Sequence, residues 1–355
     1  MSNISDFRLQ IHLSLWVCFL LLGMIGAVGV TALIGRGLAG QRVLAAALRQ
    51  TEASLTRAVY VIDIGRNLAT VTHAALPHSA QHMVWSPDGT HFVYAAGSNG
   101  SDGLYTAEMG HGQPRLLAGA PIHEPVSWSP DGRSVAYSDP MGSGIRVIDV
   151  ISGESFTLFQ AAGMIRYPAW SPGGEMVAFL AAHDQGWGLY AGHIQSQDSR
   201  LINPDVVSSS ATQPVWSPDE KSIALTIRQG GSGDIMVLRL ADGAAERFTD
   251  SREVDFEPLW SPDGTRIAYW TPDDYGTYVQ IAPATGGNPL RVYVRDILWS
   301  RSEVHAAWSA DSRHLAFGIT MSDGTSRLYD VNTENGEATL LLTGFGDVPY
   351  PAWLS

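Results

Sequence analysis

The stretch Asp255-Phe256-Glu257-Pro258-Leu259-Trp260-Ser261-Pro262-Asp263-Gly264 contains the pentapeptide Trp-Ser-Pro-Asp-Gly, which recurs along the chain with small variations. Successive tryptophans of this repeat are separated by 43, 42, 46, 44, 48 and 45 residues: Trp85, Trp128, Trp170, Trp216, Trp260, Trp308 and Trp353. Self-similarity at a period of about 40 to 45 residues, with short strands between turns, is typical of the blades of a β-propeller. The repeat therefore predicts an all-β propeller.

Each copy of the repeat predicts a tight turn that opens a hairpin. In Ser86-Pro87-Asp88-Gly89, the proline presets φ for the first central position, and the glycine supplies the positive φ that reverses the chain. An apolar, small, bulky triplet follows each of six tryptophans, as in Val135-Ala136-Tyr137. A third and a fourth strand come next, so each period supplies the four strands of one blade.

The repeated tryptophan is expected to be structural. A lone four-stranded sheet cannot bury both of its faces, so it must stack on its neighbours, and the tryptophan is predicted to pack between blades. Some copies depart from the motif: Gly173 replaces the aspartate, Glu220 replaces the glycine, and Ala310 and Ser312 replace the proline and the glycine. A function that requires aspartate and glycine in every copy is therefore disfavoured.

The two ends of the repeat region read as parts of one blade. Residues 59–63 predict a third strand and residues 69–72 a fourth, whereas residues 348–354 predict a first strand with nothing after it. We therefore predict a propeller over residues 58–355 with seven blades, six complete and one composite from both termini, the composite one lacking a recognisable strand. A ring of six blades with extra terminal strands is the alternative.

The N-terminal region reads as a membrane anchor. No charged side chain lies between Arg8 and Arg36, and residues 13–34 are apolar apart from one serine and one threonine. This run is long enough to cross a bilayer and longer than the apolar core of a cleaved signal peptide. It predicts a short tail at 1–10, a transmembrane helix at 11–35 and a helical stalk or linker at 36–57. Small residues spaced four apart would permit a helix-mediated dimer: Gly23, Ala27, Thr31 and Gly35.

Charge and cysteine content limit the classes of partner. The residues after position 57 carry 17 basic and 33 acidic side chains, so nucleic acid is not an expected partner. A basic protein surface, a cationic ligand or simple solubility would each suit this negative field. The single cysteine, Cys18, lies outside the repeats, so no disulfide is expected within the propeller.

The repeat copies, above all residues 255–264, resemble the propeller repeats of the TolB family, also called WD40-like Pro-Asp repeats (PD40). The resemblance runs from about Val59 to the end of the chain. It implies a β-propeller that is usually exported and binds other proteins, and such repeats also form the non-catalytic propeller of prolyl-oligopeptidase-type peptidases. The chain departs from TolB in having a predicted membrane span where TolB has an N-terminal α/β domain.

The side of the membrane that the propeller occupies follows from two opposed signals. Four arginines follow the predicted span and one precedes it, which taken alone would leave the propeller in the cytoplasm. The family resemblance implies that such propellers are usually exported, which favours the extracytoplasmic side. We therefore predict a single-pass, membrane-anchored protein whose propeller is periplasmic or on the cell surface.

A ring of polar residues precedes the first strands of the predicted blades, where the loops open onto the central channel. Five of the seven directly precede a proline, which fixes an extended entry into the strand and points equivalent side chains towards the axis. We predict that this channel-mouth ring binds a partner, against the alternative that its polar groups satisfy strand ends at a wet channel. Its members are His82, Glu124, Tyr167, Gln213, Glu257, His305 and Tyr350.

No reaction chemistry assembles in the sequence. A Gly-x-Ser-x-Gly elbow, a phosphate-binding glycine loop and a His-Glu-x-x-His motif do not occur, so no enzyme activity and no cofactor are predicted. The two histidines and two glutamates of the ring belong to blades one, two, five and six, and a propeller channel separates such positions too widely for one tetrahedral ion, so no metal site is expected. A membrane-anchored protein-interaction scaffold is the first prediction. The alternatives are a sensor or receptor ectodomain that binds a small glycan or peptide in the channel, and a lyase using channel histidines such as His82 and His305.

Overall fold

The computed structural model describes β-strands and the turns that join them. The described residues are 43–49, 56–63, 68–77, 81–96, 103–109, 111–119, 122, 124–184, 186–204, 212–229, 232–251, 253–273, 276–295, 304–320, 325–345 and 350–353. Within these ranges, no helix is long and apolar enough to span a bilayer. The predicted tail at 1–10 and the predicted transmembrane helix at 11–35 lie outside the described residues, as does the proposed dimerisation stripe.

Both ends of the described chain contribute to one four-stranded antiparallel sheet, which we call the composite sheet. Strands are numbered in chain order, and this sheet contains β1 (Val43–Arg49), β2 (Thr56–Asp63), β3 (Leu68–Pro77) and β28 (Tyr350–Trp353). Its strand order is β28-β1-β2-β3. The C-terminal strand β28 pairs with β1 in a register that places Leu44 opposite Trp353 and Ala47 opposite Tyr350. The predicted strands at 59–63 and 69–72 are thereby found in β2 and β3.

The prediction of a helical stalk over residues 36–57 is wrong where those residues are described. Strand β1 occupies Val43–Arg49, and β2 begins at Thr56. The run of alanine and leucine favours a helix only weakly, whereas β1 is hydrogen-bonded along both edges, to β2 and to β28. This strand is the one that the composite blade lacked in the sequence interpretation. The compact unit that holds the sheets begins at Arg42, ahead of the predicted boundary at 58.

Six further antiparallel sheets each come from one continuous segment and are called blades 1 to 6. Blade 1 contains β4 (Gln81–Trp85), β5 (His91–Ala96), β6 (Gly103–Glu108) and β7 (His111–Ala118), and blade 2 contains β8 (Ser127–Trp128), β9 (Ser134–Ser138), β10 (Gly144–Asp149) and β11 (Ser155–Gln160). Blade 3 contains β12 (Ile165–Trp170), β13 (Met176–His183), β14 (Gly186–His193) and β15 (Ser199–Asn203), and blade 4 contains β16 (Val215–Trp216), β17 (Ser222–Gln229), β18 (Ser232–Arg239) and β19 (Ala245–Arg247). Blade 5 contains β20 (Phe256–Trp260), β21 (Arg266–Asp273), β22 (Gly276–Pro283) and β23 (Leu290–Arg295), and blade 6 contains β24 (His305–Trp308), β25 (His314–Thr320), β26 (Ser326–Asn332) and β27 (Ala338–Phe345).

The repeat turn is stabilised by its own serine and aspartate. In blade 1, the hydroxyl of Ser86 donates to Asp88 Oδ1 at 2.6 Å and accepts from the backbone N–H of His91 at 2.9 Å. The backbone N–H of Gly89 donates to the Ser86 carbonyl at 2.8 Å, and Gly89 has φ of 68°. This left-handed conformation is the one that the repeated glycine was predicted to supply.

The core lies between adjacent sheets, and the repeat tryptophans are part of it. Trp216 packs in one apolar cluster with Ala169 and Leu189 of blade 3, and Trp308 packs with Phe256 of blade 5. Five indole N–H groups also donate to a backbone carbonyl of the preceding sheet, at 2.9 to 3.1 Å: Trp85 to Tyr350, Trp128 to Val84, Trp216 to Ala169, Trp308 to Leu259 and Trp353 to Ala307. The indole nitrogens of Trp170 and Trp260 are buried and have no hydrogen-bond partner among the described residues.

Candidate functional site

The predicted ring residues lie on, or immediately before, the first strand of each sheet. His82, Tyr167, Glu257, His305 and Tyr350 are within first strands, and Glu124 and Gln213 precede β8 and β16. Tyr350 is 7% exposed and Glu257 is exposed, while the other five are partly buried. Tyr350 is therefore less accessible to a partner than the sequence interpretation assumed, and Glu257 is the most accessible of the set.

Three ring positions share a distorted backbone. His82, Tyr167 and Glu257 have φ of 50°, 58° and 54°, a left-handed conformation that costs a residue with a side chain roughly 1–2 kcal/mol. At each of them the register between the first and second strands shifts. Such bulges re-aim a side chain away from the regular alternation of a strand. Strain of this kind, repeated on blades 1, 3 and 5, suggests a constraint other than sheet stability.

Tyr167 connects the acidic residues of the ring. Burial raises the pKa of Tyr167, and the charge of Glu124, which accepts a hydrogen bond from the phenol, raises it further. The charge of Glu257 also raises this pKa. Glu124 is on blade 2, Tyr167 on blade 3 and Glu257 on blade 5, with blade 4 between the last two. The charge of Glu257 thus acts on Tyr167 although blade 4 separates their two blades along the chain.

Arg166 belongs to this cluster and was missed by the sequence interpretation. Its Nε lies 3.4 Å from Glu124 Oε1, and its guanidinium carbon lies 5.6 Å from the centroid of the Trp187 ring. The arginine is thus held between a carboxylate and an aromatic face, which is a favourable position for a guanidinium. In the sequence, Arg166 is visible only as a basic residue directly before Tyr167. The cluster has two carboxylates against one guanidinium, so it favours a partner that brings positive charge.

The remaining ring residues make their own contacts. Gln213 Nε2 donates to the Pro168 carbonyl at 2.6 Å, which ties blade 4 to blade 3. The His305 ring stacks on Tyr350 with centroids 3.8 Å apart and planes 20° apart, which joins blade 6 to the composite sheet. These contacts agree with the alternative in which the polar groups of the ring are used within the propeller, at the strand ends, and do not bind a partner. The residues with the features of a binding surface are therefore Glu124, Tyr167 and Glu257, with Arg166 added.

No group of three or more histidine, cysteine, aspartate or glutamate side chains in the described ranges could hold a metal ion. Of the ring histidines and glutamates, His305 takes part in the aromatic contact and Glu124 in the ionic contact given above. The described side chains of this site offer charge, hydrogen-bonding groups and an aromatic surface.

Comparison with known proteins places the chain among TolB-like propellers. The TolB beta propeller domain family, PD40, matches residues 142–353. An uncharacterized protein of Agrobacterium fabrum is 26% identical over 257 residues, which cover 66% of this chain and 82% of that protein. The Tol-Pal system protein TolB of Francisella tularensis is 25% identical over 224 residues, covering 60% of this chain. That match spans only 50% of the TolB chain.

A solved structure agrees with the fold. TolB from Acinetobacter baumannii superimposes with a TM-score of 0.55 and 17% sequence identity, covering 94% of this chain and 86% of the other. At this level of identity the likeness concerns the propeller architecture alone. The recognition chemistry must therefore be argued from the ring residues of this chain.

Proposed function

Because the chain belongs to the TolB beta propeller (PD40) family, we propose that it is a non-catalytic protein-interaction propeller, held at the cell envelope by an N-terminal membrane anchor. The observation that carries the proposal is the ion pair of Arg166 with Glu124 across blades 2 and 3, beside Tyr167, whose pKa is raised by burial and by the charges of Glu124 and Glu257. Exposed Glu257 stands on a left-handed backbone, and it supplies negative charge where a partner would enter the channel. Arg166 and Trp187 border the same surface.

The proposed platform is a closed ring of seven blades, in which the composite sheet is the seventh. Two indole hydrogen bonds support closure. Trp353 donates to the Ala307 carbonyl of blade 6 at 2.9 Å, and Trp85 of blade 1 donates to the Tyr350 carbonyl at 3.0 Å. The C-terminal strand is therefore bonded to its neighbours on both sides, as well as to β1 within its own sheet.

The proposed anchor is the apolar run at 13–34, and the proposed location of the propeller is extracytoplasmic. The similarity to Tol-Pal system proteins supports this side of the membrane. Pairing of two anchors through the small-residue stripe is part of the same proposal. Protease added to intact cells or spheroplasts tests the location, because an extracytoplasmic propeller is cleaved while a cytoplasmic marker protein survives.

Site-specific photocrosslinking in cells tests the binding surface. A photoreactive amino acid at position 257 should give one discrete adduct with a protein partner. The same substitution at Glu154, an exposed glutamate in the β10–β11 turn, is the matched control and should give none. The purified partner should then bind Glu257→Ala at least fivefold more weakly than the parent and Glu154→Ala with unchanged affinity. Adducts at 154 but none at 257 would place the contact elsewhere and contradict the proposal.

A further inference from the structure

A chain of side-chain hydrogen bonds crosses blade 5 from its outer strand to the residue that precedes its inner strand. Arg291 Nε on β23 donates to Gln280 Oε1 at 3.2 Å, and Gln280 Nε2 on β22 donates to Thr271 Oγ1 at 2.5 Å. Thr271 on β21 in turn donates from Oγ1 to Asp255 Oδ1 at 2.5 Å. Gln280, Thr271 and Asp255 are buried. The donors all point the same way, from a guanidinium to a carboxylate, an arrangement in which neighbouring hydrogen bonds strengthen one another.

The two neighbouring blades are apolar where this chain passes through β21. Counted from the repeat tryptophan, Thr271 corresponds to Ile227 of blade 4 and to Ile319 of blade 6, and both isoleucines are buried. A buried hydroxyl is costly unless its hydrogen bonds are made, so an apolar residue would serve packing at this position more simply. The polar chain of blade 5 therefore has an explanation other than the burial of apolar surface.

Asp255, at the end of the chain, is held from three directions. Its Oδ1 accepts the hydrogen bond from Thr271, and its Oδ2 accepts one from Ser251 Oγ at 2.9 Å. Its backbone N–H donates to the carbonyl of Gly233 on β18 of blade 4 at 2.8 Å. Hydrogen bonds to a carboxylate are stronger than those between neutral groups. Asp255 is thus a fixed point that joins blade 4 to blade 5 immediately before β20.

Glu257 lies two residues after this fixed point, in the bulge at the start of β20. The register between β20 and β21 shifts between Phe256 and Leu259, and Glu257 lies inside the shift with φ of 54°. Regular pairing resumes at Leu259. On the other side of the bulge, the bond between Asp255 and Thr271 continues the contact of the two strands beyond Phe256. The bulge is therefore held at both ends, and a strained backbone persists only where its surroundings hold it in this way.

We propose that Asp255 and Thr271 are positioning residues for Glu257. Their hydrogen bond keeps the bulge in the left-handed form that presents the exposed Glu257 side chain to a partner. Without the bond, the start of β20 can relax towards regular strand pairing, which turns alternate side chains to the other face of the sheet. The inference rests on the proposed binding role of Glu257, and it adds that partner affinity depends on two buried residues that the partner does not touch.

Hydrogen–deuterium exchange of the full-length protein tests the positioning without a partner. Thr271→Val removes the hydroxyl at nearly constant volume and should raise the exchange rate of the β20 amides at least tenfold, whereas Thr271→Ser keeps the hydroxyl and should retain the parental rate. Thr226→Val is the matched control, because the Thr226 hydroxyl on blade 4 is buried without a hydrogen-bond partner among the described residues. Ser251→Ala, which removes the other side-chain donor to Asp255, replaces Thr271→Val if that variant does not fold. Unchanged β20 exchange overturns the proposal.

A double-mutant cycle separates positioning from a general loss of stability. Its probe is the protein captured by photocrosslinking at position 257. Thr271→Val should weaken binding of this protein at least threefold in the parent background and have no further effect in the Glu257→Ala background, while Thr271→Ser should bind as the parent does. Equal weakening with and without Glu257, or no weakening by Thr271→Val where Glu257→Ala does weaken binding, overturns the positioning role. If Glu257→Ala leaves the affinity unchanged, the proposed function fails, and the exchange measurement alone decides whether Thr271 holds the bulge.

Discussion

The carboxylate of Glu220 accepts a hydrogen bond from the backbone N–H of Gly173, which lies in the repeat turn of the preceding blade. Both residues are departures from the repeat: Glu220 occupies the glycine position with φ of 58°, and Gly173 occupies the aspartate position. Ser312, the other substitute for the glycine, has φ of 60° and accepts from the backbone N–H of Asp263 at 3.1 Å. At both positions a strained side chain bonds to the turn before it, so the strain is offset by an inter-blade contact.

The two substitutions in the Gly173–Glu220 pair are expected to be energetically coupled. A Cβ at Gly173 would collide with Glu220 Oε1, which can move because it ends a flexible side chain. The hydrogen bond between the two turns would be lost and a second carboxylate would face the first, so Gly173→Asp alone should destabilise by about 1 kcal/mol. Glu220→Gly removes the collision and the left-handed strain. The double variant, which restores the repeat in both turns, should therefore be at least as stable as the parent.

Urea denaturation of the four proteins in this mutant cycle measures the coupling, which we expect to be about 1 kcal/mol in favour of the double variant. Gly132→Ala is a control for a glycine position that has room for a Cβ but a φ of 69°, and its cost should reflect backbone strain alone. Additive effects of Gly173→Asp and Glu220→Gly would contradict the compensation.

The indole hydrogen bonds predict that replacing tryptophan with phenylalanine lowers the free energy of unfolding by different amounts on blades 2 and 3. Trp128 donates to the Val84 carbonyl at 3.0 Å, whereas the Trp170 indole nitrogen is buried without a hydrogen-bond partner in the described part of the chain. Replacement by phenylalanine removes the indole N–H at both positions. The loss of side-chain volume is also the same at both. Trp128→Phe should therefore destabilise by about 1 kcal/mol more than Trp170→Phe in chemical denaturation. Equal costs would mean that these bonds contribute nothing net to stability.

The sequence predicts the propeller well because its signal is local and repeated. Three of the six turns carry proline, aspartate and glycine, and the other three keep part of this set. Each inner hairpin has its own apolar triplet, so six blades could be read one at a time. Strand β1 has no such signal. Its alanines and leucines favour a strand only because β2 and β28 supply partners on both edges, and β28 is about 300 residues away along the chain.

The channel-mouth site was only partly predictable for a related reason. Their place at the start of a blade, directly before a proline, located Glu124, Tyr167 and Glu257 in the sequence. Arg166 contacts Glu124 and Trp187 through side chains from two blades, and one sequence without its fold does not reveal such contacts. The Gly173–Glu220 compensation was likewise visible only as two unrelated departures from the motif.

Removal of β1 should open the composite sheet. A variant that starts at residue 42 retains β1, whereas one that starts at 58 loses β1 and the first two residues of β2. Without β1, the backbone groups of β28 and β2 that pair with it are left without partners. The shorter variant should melt at least 5 °C lower than the longer one and aggregate more readily. Equal melting temperatures would show that β1 is dispensable for closure.

The repeat turns should make the protein sensitive to acid. Hydrogen bonds from Ser129 and Ser217 hold the pKa of Asp131 and Asp219 below the ordinary value of 3.8. Because the pKa is lower in the folded state, the stabilisation is fully present above the unfolded value and is lost as the pH falls through the folded one. The melting temperature should therefore be nearly flat from about pH 7 to 5 and fall below about pH 4.

Replacing both aspartates separates this effect from general acid unfolding. The Asp131→Asn and Asp219→Asn double variant should melt lower than the parent at pH 7, because the ionised acceptors are lost, and should lose less on acidification. A control that removes the exposed carboxylate of Asp198 changes the net charge without touching a repeat turn, so it should follow the parent curve. If the melting temperatures of the double variant and the parent fall equally between pH 5 and 3, protonation of these two turn carboxylates does not cause the loss of stability in acid. Other carboxylates must then cause it.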